Sequence, residues 1–262
     1  MMNLVDSKTS FQKSFLDKIK KLQDYTLLVI DIFKLMPTVR KNLDVVLSEM
    51  YLIGTKALVL VSLGGLFSGV ILAIETGHNL EKFGAAMLIS RTISLGMIRE
   101  LGPVITGLLL AARTSAKNAS EIGAMQLSEQ IDALCAFGLN PVEKLIVPRV
   151  IAALIMFLPL TMIADMSGII GGMLVTNSTF HIDLAYFWNT AINVLQFKDI
   201  FVGVIKPVFF SFFIASIGCY YGLITKGGTT NLGKNSINAV VTSSIVVLFL
   251  DFIFTKVVWE IM

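Results

Sequence analysis

Five stretches of the chain are almost purely apolar, and polar segments separate them. Residues 57–74 carry no charge, residues 87–112 embed Arg91, Arg99 and Glu100, and residues 150–175 are interrupted only by Asp165. Residues 207–225 are uncharged, with the apolar pattern starting before Lys206, and residues 235–259 are broken by Asp251 and Lys256. A helix needs about 20 mostly apolar residues to cross a hydrocarbon core about 30 Å thick. The pattern therefore predicts five transmembrane helices. Ahead of them Phe11, Phe15, Ile19, Leu22, Tyr25, Val29, Phe33 and Met36 recur at steps of three and four, with lysines over much of the opposite face and Pro37 ending the run. Such a stripe reads as a helix lying in the membrane interface. The alternative is a helix packed on a partner.

The expected fold class is an all-α integral membrane protein: an N-terminal interfacial amphipathic helix, then five transmembrane helices with a cytoplasmic helix between spans two and three. Residues 1–50 form the interfacial helix and elbow, and residues 51–262 a single transmembrane domain. Basic residues set the orientation. They crowd ahead of span one (Lys8, Lys13, Lys18, Lys20, Lys21, Lys34, Arg40, Lys41, Lys56), between spans two and three (Arg113, Lys117, Lys144, Arg149) and between spans four and five (Lys226, Lys234). The other loops offer Lys82, balanced by Glu81, and Lys198. The alternation predicts a cytoplasmic N-terminus and a C-terminus outside. No cleavable signal peptide is visible. Five spans do not divide into two equal inverted halves of the kind many secondary carriers carry, which favours a half-transporter that dimerises.

Composition narrows the class further. Of 262 residues, 55% are hydrophobic and 15% charged, against about a quarter charged in soluble domains. Disorder needs the opposite balance. Cys135 and Cys219 are the only cysteines, which excludes a disulfide scaffold. A net charge of +3 gives no reason to expect nucleic acid.

The polar segment at residues 113–149 carries the sharpest signal. It is too polar for lipid and too short for a domain. Ser128 is a candidate N-cap for a short helix, Gly138 a candidate C-terminal stop, and Pro141 lies just beyond. Ile131, Leu134 and Cys135 or Gly138 share one face, while Glu129, Gln130 and Asp132 lie elsewhere. A short amphipathic helix on such a loop needs a partner surface for its apolar stripe.

Asp132-Ala133-Leu134 followed by Gly138 resembles the Glu-Ala-Ala-x3-Gly coupling loop of ABC importer permeases, with the following proline spaced differently. The stretch from Arg99 to Val150 is similar to the central signature of the MlaE (YrbE) family. So are Ala164-Asp165 with Gly168, Gly171 and Gly172, and the tail from Val240 through Thr242-Ser243-Ser244 to Asp251-Phe252. The likeness covers roughly residues 45–262, and Lys117-Asn118 is more polar than the small residues usual there. The resemblance implies a homodimeric permease subunit, in the bacterial inner membrane, of an ATP-driven transporter that moves phospholipids and maintains outer-membrane lipid asymmetry. It implies an ABC ATPase docked on a coupling helix at Glu129, Gln130, Ile131, Asp132, Ala133, Leu134 and Gly138, with ATP and magnesium on that partner and no cofactor on this chain. It also implies a periplasmic MCE lipid-binding protein over the dimer and a C-terminus in the periplasm.

Ionisable residues inside a span are costly and usually face a bundle interior or a wet cavity. With spans alternating in direction, Arg99, Glu100, Lys206 and Asp251 are candidates for one cluster. Two readings stand: an ion cluster that pins helices, or a polar patch that meets a lipid headgroup or switches between states. Asp165 is expected to bond backbone or a serine within its own span. Gly65-x3-Gly69, Gly168-x3-Gly172 and Gly218-x3-Gly222 fit small-residue packing faces. Leu66, Phe67, Val70 and Ile74, with Leu72, are candidates for an apolar cavity, although lipid-facing residues would read the same.

Other motifs fail on context. Residues 228–234 match seven positions of a phosphate-binding loop, but Asn235 stands where Ser or Thr would ligate magnesium. His78 and His181 lack partners at metal-ligand spacing, so no metal is expected, and no nucleophile elbow is present. The competing functions are an ion-gradient-driven carrier of an amphipathic substrate, titrating Glu100 and Asp251, and an intramembrane lipid enzyme using those carboxylates as acid and base. Neither needs a docking helix, which favours the transport subunit.

Overall fold

The structure is a computed structural model that describes residues 2–261, with side chains described from residue 19 onward apart from those of Lys41, Trp259 and Ile261, and with Leu16 described as well. Phe11 and Phe15 of the expected stripe, with Lys8, Lys13, Lys18 and Lys41, lie outside the described side chains, as does Trp259 at the end of the fifth span. Among the described residues there is helix and no strand. Helix α1 (Met2–Leu35) leads through a 3-10 turn at Met36–Asn42 into α2 (Leu43–Lys82), so the elbow ends at Asn42, earlier than the boundary drawn at residue 50. Pro37 sits at the start of that turn, where its missing N–H breaks the α pattern.

Five helical stretches are long and apolar enough to cross a membrane: Leu43–Lys82, Ala86–Leu127, Val142–Phe180, Phe197–Leu223 and Thr229–Val258. At 1.5 Å per residue the first three exceed the hydrocarbon thickness well before they end, so their ends continue into polar surroundings. The second is built from α3 (Ile89–Gly96), α4 (Gly102–Leu110) and α5 (Ala116–Leu127), joined by π-helical turns at Met97–Leu101 and Ala111–Ser115. The pattern of apolar residues marked this span only as charged and interrupted. Its interruptions are the two π turns, each holding an arginine. Then come α6 (Gln130–Ala136), α7 (Val147–Phe180), α8 (Leu184–Val194), α9 (Phe197–Leu223) and α10 (Thr229–Ile261).

The packing explains the glycines. The broadest helix contact is α2 on α7. A side chain at Gly69 would collide with the backbone of Gly168, and one at Gly65 with the backbone of Ala164. These small residues let two backbones touch, the device that substitutes for hydrophobic driving force in lipid. Gly218 and Gly222 do the same for α9 against Ser115 and Ile122 of span two. All three glycine pairs thus pack inside the protomer. Two cores result: one centred on Leu110, Phe157, Leu160, Phe210 and Ile214, the other on Ile89, Ile93, Met97, Ile169 and Phe187.

Helix α1 lies along α9. Tyr25 shares a 2.9 Å hydrogen bond with Ser216, Tyr220 donates to the Lys21 carbonyl at 2.9 Å, and Phe33 stacks on Phe212. The buried face is Leu28 and Ile32 with Tyr25 and Val29 beside them, while Ile19, Leu22 and Phe33 remain exposed. The expected stripe is therefore split: its Tyr25–Val29 part meets the chain's own span, and its outer residues stay free to face lipid.

Candidate functional site

The centre of the spans holds an ion cluster organised by one helix face. On α9, Asp199, Gly203 and Lys206 follow one another at steps of four and three, and this face meets the π turn Met97–Leu101. Gly203 brings α9 against the Ile98 carbonyl, where a side chain would not fit. The π turn aims consecutive residues at the two ends of that face: Arg99 pairs with Asp199, and Glu100 with Lys206 at 2.7 Å. Lys206 also reaches Asp251 at 2.8 Å, the Arg99 carbonyl at 2.9 Å and Thr255 at 3.1 Å. Thr255 in turn donates to Glu100 at 3.1 Å.

The Lys206 side chain is 0% exposed, against 19% for Asp251 and 39% for Glu100. A buried ammonium is tolerable only with its charge matched and its protons all used. Here two carboxylates surround one ammonium, so this part carries one net negative charge, and Arg99–Asp199 is neutral. Of the four residues read from the sequence, Glu100, Lys206 and Asp251 come together. Arg99 contributes its carbonyl to Lys206 and its guanidinium to a partner the sequence reading missed. Asp199 had a visible signal: Gln196 and Asp199 form a capping box at the start of α9, with the Gln196 N–H donating to Asp199 at 3.0 Å. Arg99 and Glu100 also line a cleft of about 450 Å³ with Arg91, Thr92, Leu88 and Leu95. It offers two guanidinium groups and one carboxylate beside apolar side chains, which suits an amphipathic molecule with an anionic head.

Asp165 departs from its expectation. It is 9% exposed, and its Oδ1 has no hydrogen-bond partner among the described residues. Backbone within an α-helix is already paired, which leaves Asp165 nothing to bond there. Leu66, Phe67, Val70 and Ile74 lie on α2 away from the described clefts. Phe67 and Ile74 are exposed, while Leu66 and Val70 are half-buried against Gly171 of α7, beside the Gly65 and Gly69 seam.

The second functional element is the loop helix. Ser128 does not cap α6. Its Oγ donates back to the carbonyls of Ala124 and Met125, ending α5, and Glu129 takes the N-cap position with φ +58. Only Ser128 and Glu129 separate α5 from α6, too few for Ser128 to close one helix and open the next. Gly138 does stop α6: at φ +74 its N–H bonds to Cys135 and that of Leu139 to Leu134, the paired pattern of a left-handed helix end. The apolar stripe also works differently from the expectation. Ile131 is buried in the chain's own core, so it anchors α6. The surface left for a partner is Glu129, Gln130, Asp132, Ala133 and Cys135, with Phe137 82% exposed at the tip.

Behind α6 a second charge network joins three helices. Lys117 pairs with Glu49 at 2.6 Å, and Arg149 pairs with Glu121 at 3.1 Å and lies 3.3 Å from Glu49. Lys144 donates to Asn42 at 2.9 Å, tying the elbow to the start of span three. The polar Lys117 thus has a structural partner.

Residues 229–234 of the phosphate-loop lookalike open α10 directly, with the Asn231 and Leu232 N–H groups bonded to the Gly228 carbonyl, and no strand precedes them among the described residues. His78 Nδ1 donates to the Ile74 carbonyl at 2.9 Å, and its ring packs on Phe180. Among the described residues no cluster of metal ligands forms.

The family model described as Permease MlaE matches residues 46–257. The chain belongs to the MlaE permease family. Relatives of this family include a probable ABC transporter permease protein of Rickettsia typhi, 33% identical over 84% of this chain and 85% of its own length. A probable ABC transporter permease protein of Synechocystis is 33% identical over 82% and 81%. The intermembrane phospholipid transport system permease protein MlaE of Haemophilus influenzae is 32% identical over 85% and 86%. Both charge networks and α6, from Glu49 to Thr255, fall inside the MlaE match.

Proposed function

We propose that this chain is the permease subunit of an ATP-driven transporter that moves phospholipid between the inner membrane and a periplasmic MCE lipid-binding protein, maintaining outer-membrane lipid asymmetry. Two copies form the transport unit, with the N-terminus and α6 in the cytoplasm and the C-terminus in the periplasm. The observation that carries the reading is α6 itself: a helix anchored from below by Ile131, stopped sharply at Gly138, and presenting Asp132, Ala133 and Phe137 to solvent. A carrier driven by an ion gradient has no use for such a handle. The related permeases named as ABC transporter components and the phospholipid-transport relative support the same assignment.

In this mechanism an ATPase holds the exposed face of α6. Movement of α6 reaches the spans through α5 and through Lys117, Glu121 and Arg149, which fix α5 to the bases of α2 and α7. The phosphate of the lipid headgroup meets Arg91 and Arg99 in the polar cleft, and Glu100 limits how tightly an anion is held. ATP and magnesium are bound by the ATPase, and this chain hydrolyses nothing.

Purifying the tagged chain from its own cells tests this. The expected result is co-purification of an ATPase whose hydrolysis rises on adding phospholipid. Replacing Asp132 or Glu129 releases the ATPase while the spans stay folded. Phospholipid transfer at the full rate without any ATPase overturns the proposal. The second reading, a gradient-driven carrier, is favoured by the Glu100–Lys206–Asp251 cluster. It requires transfer that follows an imposed pH difference in the absence of ATP.

A further inference from the structure

A lateral cleft of about 340 Å³ opens between α7 and α9, and its walls are apolar: Ile98, Met162, Met166, Ile169, Ile200 and Val204 among others. Two polar side chains line it. Thr161 is spent on the Phe157 carbonyl at 2.8 Å. Asp165 is not spent: it is more than nine-tenths buried, and one carboxyl oxygen has no partner. The nearby charges are committed elsewhere, Arg99 to Asp199 and Lys206 to Glu100 and Asp251. The position is also built. The Asp165 carboxyl occupies the space that any side chain at residue 102 would need, so Gly102, directly after the π turn, is what admits it.

We propose that this cleft is a binding subsite for the glycerol-ester region of a phospholipid in passage through the membrane, with Asp165 as its hydrogen-bonding group. The inference rests on the phospholipid reading above and adds to it where the ester, as opposed to the headgroup, is recognised. Asp165 lies midway along α7 (Val147–Phe180). At that depth a lipid resting in a leaflet presents only methylene groups, because its esters lie at the edge of a hydrocarbon core about 30 Å thick. A buried carboxyl facing methylenes is a net cost. A lipid crossing the bilayer brings its ester carbonyls to this level, and the acid form of Asp165 has one O–H to donate to them. The flexible methionines at 162 and 166 conform to chains of differing length and unsaturation. The cleft and the polar cleft of Arg91, Arg99 and Glu100 flank the same π turn, Ile98 facing one and Glu100 the other. Headgroup and ester are thereby read on two sides of one element.

The test offers the full chain in detergent micelles an equal mixture of a diester phosphatidylethanolamine and its chain-matched dialkyl-ether analogue, and counts each bound lipid by native mass spectrometry. One net hydrogen bond predicts that the wild-type chain retains the diester about five- to tenfold over the ether. Asp165→Leu brings the ratio to unity, and Asp165→Asn, whose amide also donates to a carbonyl, preserves most of it. Should Asp165→Leu fail to fold, Val204→Trp fills the cleft, keeps Asp165, and removes the preference. Equal retention of both lipids by the wild type, or a preference that survives Asp165→Leu and Val204→Trp, overturns the subsite. Phospholipid transfer is measured alongside in the complex assembled with its ATPase. Transfer without ester preference sinks this inference alone, whereas absent transfer with the preference intact sinks the transport reading and leaves the subsite standing.

Discussion

Two charge networks in this protein are assembled from the same parts and do different work. At the α6 end, Glu49, Lys117, Glu121 and Arg149 join the bases of α2, α5 and α7; the Lys117 and Glu121 side chains are 25% and 41% exposed, while those of Glu49 and Arg149 are 10% and 9%. Within the spans, Lys206, itself fully buried, joins Asp251 and Glu100, which are 19% and 39% exposed. The outer network has water to fall back on at Lys117 and Glu121. In the inner one the central cation has none, because the Lys206 side chain is fully buried. The lesson is that the same kinds of ion pair can be a weak positional clamp in one place and a condition for folding in another.

Removing the cation separates the two most strongly. Lys206→Met leaves Glu100 and Asp251 facing each other without the buried cation between them, and breaking a buried pair by deleting one partner costs about 3–5 kcal/mol. Thermal unfolding in detergent is expected to show this as the largest loss of any single change discussed here. Replacing all three charges together, with Lys206→Met, Glu100→Gln and Asp251→Asn, removes the uncompensated charge and is expected to restore most of that stability. If the triple variant folds and still moves lipid at the wild-type rate, the inner cluster only pins helices.

Glu49→Gln makes the matching change at the outer network. Lys117 and Arg149 keep Glu121, which is 41% exposed, so neither cation loses its last carboxylate and the loss is expected to be smaller than at Lys206. Salt sharpens the contrast: raising it to about 0.5 M screens exposed pairs far more than buried ones. The Glu49→Gln deficit is expected to shrink and the Lys206→Met deficit to persist. A Glu49 deficit as large as that of Lys206, or one insensitive to salt, erases the distinction drawn here.

Much of this was readable in the linear chain, and unevenly. Span number followed from apolar run length, because the bilayer sets that length. The convergence of Glu100, Lys206 and Asp251 followed from the cost of burying charge, which leaves such residues few places to go. Asp199 sits outside the apolar run, at a helix start, where its spacing from Gln196 is legible as a capping box but its pairing with Arg99 is not. The π turns were also hidden: no residue type demands one, and only the packing of Met97–Leu101 against Gly203 shows what it does. Asp165 was misjudged because a helix backbone has no spare donor to offer it. The α6 face was misjudged for a related reason. Periodicity finds the apolar stripe but does not say whether the chain or a partner will cover it.

The smallest effect tests that last point. Ser128 appears in the linear pattern as the cap of α6, and replacing a true N-cap by alanine costs about 1 kcal/mol. In the fold its hydroxyl turns back to Ala124 and Met125 at an exposed position, so α6 does not depend on it. Ser128→Ala is therefore expected to change stability by no more than about 0.5 kcal/mol, the range for surface substitutions away from special features. It is also expected to leave ATPase binding intact. Gly138→Ala, by contrast, forces a side chain into a left-handed conformation at φ +74 and costs about 1 kcal/mol, loosening the end of α6 beside Phe137. A larger loss from Ser128→Ala than from Gly138→Ala places the start of the helix at Ser128 after all, and returns the loop to the outer network's class of weak, water-backed contacts.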